Sequence, residues 1–186
     1  ALEEIDQQFE AHNTVLLHGV TSSGKTEIYV KKIEAILAQG QQALYLVPEI
    51  ALTSQLVQRL QQYFGNQIAV YHSRYSQNER VEVWNHVLNQ SENARVVIGA
   101  RSSVFLPFSN LGLVIVDEEH EQSYKQFDPS PRYHARDTAI VLAALYEAKT
   151  LLGSATPSIE SFYNATKENK FGYVAITKRF NNVLMP

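Results

Sequence analysis

Gly19-Val20-Thr21-Ser22-Ser23-Gly24-Lys25-Thr26 fits the pattern G-x4-G-K-[ST], and its surroundings decide the fold. Upstream lies the short apolar run 15–18, and downstream an amphipathic stretch, 25–38, closes near Gly40. A strand feeding a glycine-rich turn that opens a helix is the setting in which this pattern cradles phosphate. Glycines let the backbone wrap around the phosphate groups, and the helix N-terminus adds partial positive charge. Gly19, Thr21, Ser22, Ser23, Gly24, Lys25 and Thr26 are therefore the expected nucleotide contacts. Lys25 is placed to reach β- and γ-phosphates, and the Thr26 hydroxyl to hold Mg²⁺. The plainer reading is an ordinary glycine turn followed by an N-cap.

The same alternation continues along the chain. Periodicity predicts helices over 2–11, 25–38, 53–64, 76–89, 136–147 and 158–166. It predicts strands over 15–18, 43–47, 68–71, 95–98, 113–116 and 173–176, with a further strand ending at 151–152. Thr53 is a possible N-cap of a helix that Gly65 closes, and Ser76 with Glu79 has capping-box spacing. Strands rich in Val, Ile and Leu without alternation are buried on both faces. Separated by helices, they predict an α/β fold with a mostly parallel central sheet and helices on both faces. Ligands of such sheets sit at the carboxyl ends of strands. Trp84 is most simply core of its helix, and Tyr45, Tyr71 and Tyr163 read as packing.

One strand end stands out. The run 113–116 leads straight into Asp117-Glu118-Glu119-His120. Carboxylates at the end of a buried strand are costly unless they serve a metal or another partner. Asp117 is suited to hold Mg²⁺, and Glu118 to orient and activate an attacking water, the division of labour that in-line phosphoryl transfer needs. A helix N-cap cluster is the alternative. No Asn-Lys-x-Asp stands downstream to read guanine, and no Leu-Ser-Gly-Gly-Gln marks a transporter ATPase.

Composition sets outer limits. With 186 residues, of which 45% are hydrophobic and 19% charged, the chain has the size of one domain, at roughly 100–200 residues each. The absence of cysteine excludes disulfides, cysteinyl zinc, iron–sulfur clusters and a cysteine nucleophile, and fits a reducing compartment. A net charge of −3 argues against a polybasic protein but leaves room for a local nucleic-acid groove. The apolar runs are strand-sized, so no membrane span is expected. The start is acidic, unlike a signal peptide. Lacking an initiator Met and stopping at Met185-Pro186, the chain reads as cut from a longer protein. Histidines 12, 18, 72, 86 and 134 show no metal-ligand spacing, and no G-x-S-x-G elbow is present.

Residues 121–137 mix Tyr124, Phe127, Tyr133 and His134 with Lys125, Arg132 and Arg136. Aromatic rings stack on bases while basic groups track phosphates, so the mixture suits single-stranded nucleic acid; a loop pinned by its own aromatics is the alternative. Thr53 at a helix start, and Arg101 with Ser102 after a strand, offer phosphate contacts, with N-cap and turn roles equally open for Thr53 and Ser102. Ser154 and Thr156 follow the strand at 151–152, where their hydroxyls can bond the acid cluster.

Taken together, the motifs resemble a known family. Gly24-Lys25-Thr26, Asp117 to His120 and Gly153-Ser154-Ala155-Thr156-Pro157 resemble motifs I, II and III of superfamily 2 helicases. Segments 47–53, 98–103, 123–126 and 132–137 are similar to motif Ia, motif Ib and the aromatic-rich loop of the primosomal replication-restart helicases within it. The resemblance implies a single RecA-like P-loop NTPase lobe across 1–186, with 178–186 starting a linker to a second lobe. It implies ATP and Mg²⁺ as cofactors, no zinc in this piece, and Lys25, Asp117 and Glu118 as catalytic residues. It implies coupling through His120, Ser154 and Thr156. DNA contacts would come from Thr53, Arg101, Ser102, Tyr124, Lys125, Phe127, Arg132, Tyr133, His134 and Arg136. The expected partners are single-stranded and forked DNA, other restart primosome proteins and single-strand binding protein, in the cytoplasm and without a membrane. There are departures. Ser22 stands where family members often have Gly, and the family's adenine-reading Gln would precede Ala1. The second lobe with its arginine finger is absent, so the isolated lobe should hydrolyse ATP poorly. Another superfamily 2 translocase, or a non-catalytic DNA- or partner-binding module, stays open.

Overall fold

Side chains that alternate between two apolar layers build the centre of the molecule. The computed structural model describes residues 1–20, 23–72 and 75–177. Its strands are β1 (Thr14–Gly19), β2 (Gln42–Leu46), β3 (Ile68–Tyr71), β4 (Val96–Gly99), β5 (Leu111–Asp117), β6 (Lys125–Gln126), β7 (Tyr133–His134), β8 (Lys149–Ser154) and β9 (Gly172–Ile176). Seven of them form one sheet in the order β3-β4-β2-β5-β8-β1-β9. Every pairing in it is parallel. The expected sheet was mostly parallel; the two-residue strands β6 and β7 pair antiparallel on their own.

Six α-helices cover the described sheet: α1 (Leu2–Ala11), α2 (Lys25–Ala38), α3 (Ser54–Phe64), α4 (Gln77–Leu88), α5 (Ala135–Leu145) and α6 (Ile159–Thr166). Along β1, Val15 and Leu17 pack with Ile28, Ile33 and Leu60 of α2 and α3, whereas Leu16 joins the layer that holds Val87 of α4 and Ala139 of α5. The same parity runs through β5, with Leu113 and Ile115 in one layer and Val114 and Val116 in the other. Burying each such side chain contributes about 1.5–3 kcal/mol. With both faces covered, the strands read as unbroken apolar runs.

Caps end the helices where the chemistry allows. Thr53 Oγ1 accepts from the Leu56 amide at 3.3 Å, and Gly65 closes α3 with φ of 57°. Ser76 and Glu79 complete a capping box on α4. The helix expected over 136–147 spans Ala135–Leu145 instead, because Glu147 turns the chain at φ 55° into β8. Two packing expectations are corrected. Trp84 is 43% exposed: Val83 and Val87 turn α4 toward the sheet, and Val81, Trp84 and Leu88 form a stripe facing away from it. Tyr163 is 52% exposed on the outer side of α6. The linker expected at 178–186 lies outside the described residues. No helix among the described residues is long and apolar enough to cross a membrane.

The register carries function. β8 lies between β1 and β5, so that His18 pairs with Ser154 and Asp117 with Gly153 at the carboxyl edge of the sheet. The phosphate-loop strand, the acidic strand end and the 153–157 loop thus meet on one edge.

Candidate active site

The first part of the site is the turn from β1 into α2. Gly24 caps α2 in the left-handed region at φ 87°, a conformation that glycine adopts without strain. A Cβ at Gly19 would come within 2.7 Å of Ser23 Oγ and 3.2 Å of Lys25 Cγ, so the backbone there must be bare for the turn to close. Ser23 Oγ is buried and has no hydrogen-bond partner among the described residues. An unpaired buried hydroxyl beside the N-terminus of a 14-residue helix suits an anionic ligand. Lys25 Nζ donates to the Gly19 carbonyl at 2.9 Å and lies 3.5 Å from Glu118 Oε1. Thr26 sits half-buried in the first turn of α2. Thr21 and Ser22, also expected contacts, lie outside the described residues.

The second part is the end of β5. Asp117 Oδ1 accepts from the Tyr29 hydroxyl at 2.9 Å and from the Glu118 amide at 3.1 Å, and Oδ2 from the Tyr45 hydroxyl at 3.3 Å. Burial pushes the Asp117 carboxyl above its usual range, and the neighbouring Glu118 charge adds to this, while Tyr29 and Lys25 work against it. Glu118 is held at φ 46°, in the left-handed region that non-glycine residues seldom enter. Such strain persists only where the surroundings impose it, and it aims this side chain toward Lys25. Mg²⁺ commonly takes one or two protein oxygens and fills its shell with phosphates and water. The absence of any group of three or more His, Cys, Asp or Glu among the described residues is compatible with that donor set, and Thr26 and Asp117 fit it.

His120 links this cluster to the loop after β8. Its Nδ1 lies 2.7 Å from Ser154 Oγ and 3.7 Å from Glu118 Oε2, and its Nε2 is 3.4 Å from Thr156 Oγ1. Ser154 Oγ also accepts from the Thr156 amide at 3.0 Å. All three residues expected to communicate between motifs therefore touch one another.

Sequence reasoning missed Glu119 and the tyrosines. Glu119 is fully buried, and its carboxylate accepts from the Ser158 amide, the Ser158 and Ser161 hydroxyls and Arg136 Nη1, at 2.7–3.1 Å. It anchors α6 and α5 beneath the site. Strand parity would place Glu119 on the face of Leu113 and Ile115, but β5 ends at Asp117 and the turn at Glu118 carries residue 119 to the face of α5 and α6, so no local pattern marks it. Tyr45 is core, as expected, but its hydroxyl also serves Asp117. Tyr29 had no signal at all.

The aromatic loop divides into support and surface. Tyr124 and Arg136 were expected to meet DNA, but the structure buries both. Tyr124 is 1% exposed and donates to the Asp117 carbonyl at 2.7 Å. Arg136 is 8% exposed and is bound to Glu119, Asp137 and Ser158. A buried guanidinium needs such partners and is unavailable to solvent. Tyr133 is half-buried, its ring edge-on to Phe105 at 4.9 Å, and burial raises its hydroxyl pKa. His134 is half-buried, its Nδ1 has no partner among the described residues, and burial holds its pKa below the usual value. Arg101 donates to the Lys125 carbonyl at 3.3 Å and the Ser123 carbonyl at 3.5 Å, fastening the loop. Lys125, Phe127 and Arg132 face solvent, with Lys125 Nζ 4.8 Å from the Phe127 ring centre. Thr53 is exposed, and Ser102 is half-buried.

Comparison with known proteins finds a matching family and relatives. The DEAD/DEAH box helicase family profile matches residues 2–164. The chain is 46% identical to the replication restart protein PriA of Bacillus subtilis over its whole length, covering 23% of that protein. It is 51% identical to PriA of Haemophilus influenzae, over 91% of the chain and 23% of that protein. The chain thus spans about a quarter of the length of these curated relatives. Among solved structures, RecG bound to a three-way DNA junction superposes over the whole chain, and over 24% of RecG, with a TM-score of 0.65 at 23% identity. The helicase MrfA bound to DNA gives 0.65 at 19% identity, covering 94% of this chain and 26% of MrfA. These superpositions show the fold alone, a RecA-like one.

Proposed function

Since the chain belongs to the DEAD/DEAH box helicase family, we propose that it is the ATP-binding lobe of a 3′→5′ DNA helicase that acts at stalled or abandoned replication forks. The observation that carries the reading is the convergence of Lys25, Asp117, Glu118 and His120 on one sheet edge. The high identity to PriA supports the replication-restart setting. The working protein would act in the cytoplasm on single-stranded and forked DNA, together with other restart primosome proteins and single-strand binding protein.

The residues divide the work. The backbone around Gly19, Ser23 and Gly24 and the Lys25 ammonium bind and orient the phosphates. Thr26 and Asp117 would hold Mg²⁺, which would supply charge neutralisation at the phosphates when bound with ATP. Glu118 orients a water and accepts its proton, with Lys25 beside it balancing the carboxylate charge. Phosphoryl transfer depends chiefly on such positioning and electrostatics. His120, Ser154 and Thr156 join the carboxylate cluster to the loop after β8, so a shift on one side is felt on the other. Motifs from a second lobe are needed for full turnover, and this lobe alone should be nearly inactive.

The test is DNA-stimulated ATPase of the full-length protein. Glu118→Gln should lower turnover at least a hundredfold while ATP binding persists, and Lys25→Ala should abolish binding. Stimulation should be stronger with a fork carrying a free leading-strand 3′ end than with blunt duplex. ATPase indifferent to forks would instead favour another superfamily 2 translocase, and no ATP binding would favour a non-catalytic module.

A further inference from the structure

Tyr29 lies on α2, one turn beyond Lys25, and is fully buried. A Cβ at Gly153 would collide with its hydroxyl oxygen. Gly153 pairs directly with Asp117 across β8 and β5. The missing side chain therefore leaves the space through which a residue of the phosphate-loop helix reaches the acidic strand end. Tyr45 reaches the same carboxylate from β2, and the two phenol rings meet edge to face at 5.5 Å. Neither hydroxyl is needed for packing, since phenylalanine would fill the same apolar volume. A buried hydroxyl requires a partner, and here both find it in Asp117.

We propose that Tyr29 and Tyr45, admitted by the bare backbone at Gly153, are positioning residues that set the orientation of the Asp117 carboxylate for metal binding. Oδ1 already accepts two short bonds, from Tyr29 and the Glu118 amide, whereas Oδ2 accepts one longer bond from Tyr45. The arrangement fixes the plane of the group and leaves Oδ2 the oxygen with more spare acceptor capacity. Partners that orient a metal-binding carboxylate matter for affinity as well as geometry, and their loss typically costs 10–100-fold. The tie to α2 also makes the carboxylate sensitive to movement of the helix that carries Lys25. The inference rests on the nucleotide-and-Mg²⁺ reading above.

The experiment measures Mn²⁺ binding by electron paramagnetic resonance on the full-length protein saturated with ADP, and ADP binding separately in EDTA. Tyr29→Phe should weaken Mn²⁺ binding at least fivefold with metal-free ADP affinity unchanged, and Tyr45→Phe should weaken it less. Tyr146→Phe, whose hydroxyl bonds the Phe108 carbonyl away from the site, should match the wild type. A merely structural role would move ADP binding and thermal stability without separating the two affinities. Mn²⁺ affinity of Tyr29→Phe within twofold of wild type overturns the proposal. Should that variant fail to fold, Tyr45→Phe decides, a loss of twofold or more supporting the proposal and wild-type affinity overturning it. Failure of the underlying reading looks different: the wild type itself would show no ADP-dependent Mn²⁺ binding.

Discussion

Glu118 and Glu119 are adjacent, and the fold gives them opposite duties. Glu118 stays half-exposed beside Lys25, while Glu119 is sealed off with four donors around it. Glu118→Gln should leave stability within about 0.5 kcal/mol of wild type, as substitutions away from packed networks do. Glu119→Ala should cost about 3–5 kcal/mol, because it takes one of two carboxylate partners from the buried Arg136 and removes the acceptor of the Ser158 amide and the Ser158 and Ser161 hydroxyls. Chemical denaturation of the two variants checks the contrast, and equal losses would show that Glu119 is no anchor. His134 adds a pH dependence. Its folded-state pKa lies below its unfolded value because burial, and then Arg136, disfavour the charged ring. The unfolded chain therefore binds more protons in that window, and His134's contribution to stability, full above the unfolded pKa near 6.5, is lost as pH falls through the folded value. Thermal midpoints measured from pH 7.5 to 5 should fall less steeply in His134→Gln than in wild type; parallel curves would remove His134 from the account.

At the scale of elements, the skeleton was legible because unbroken apolar runs and amphipathic ones differ in period. The caps were legible because Thr53, Ser76 and Gly65 act through their own backbone neighbours. What escaped depends on partners far along the chain. Trp84 reads as core from its neighbours, yet Val83 and Val87 turn α4 so that it faces outward. The strands β6 and β7 are too short to carry a period. Tyr29 takes its meaning from Gly153, 124 positions away, and no local pattern joins them. Lys25 and Asp117 were marked by motif spacing and a strand end, and His120 by the family resemblance, but nothing local showed which aromatic-loop residues are buried. Thr53 separates two roles assigned to one hydroxyl. Thr53→Ala should cost about 1 kcal/mol through the lost cap, whereas Thr53→Asn, an equally good cap, should keep stability. If DNA affinity falls equally in both while only the first loses stability, the hydroxyl contacts DNA beyond its capping role; affinity that follows stability leaves it a cap alone.

Over the whole molecule, two apolar layers enclose the sheet while polar contacts tie its carboxyl edge together. The aromatic loop belongs to that edge. Arg101 fastens its backbone at Ser123 and Lys125, and Tyr124 at its root bonds the carbonyl of Asp117. Its outer residues, Lys125 and Phe127, face solvent and carry the charge and ring that single-stranded DNA would engage. If the loop meets DNA, contact and response would fall on different residues of it. In the full-length protein, Phe127→Ala should weaken DNA binding severalfold, as loss of about 1–3 kcal/mol of stacking would, and leave DNA-free ATPase as it was. Tyr124→Phe removes one buried hydroxyl and no exposed surface, so DNA affinity should persist while the stimulation of ATPase by DNA drops severalfold. Fluorescence anisotropy on labelled single strands, read beside ATPase with and without DNA, distinguishes the two. If Tyr124→Phe retains full stimulation, the Tyr124–Asp117 bond plays no part in coupling and the assignment of response to it is wrong.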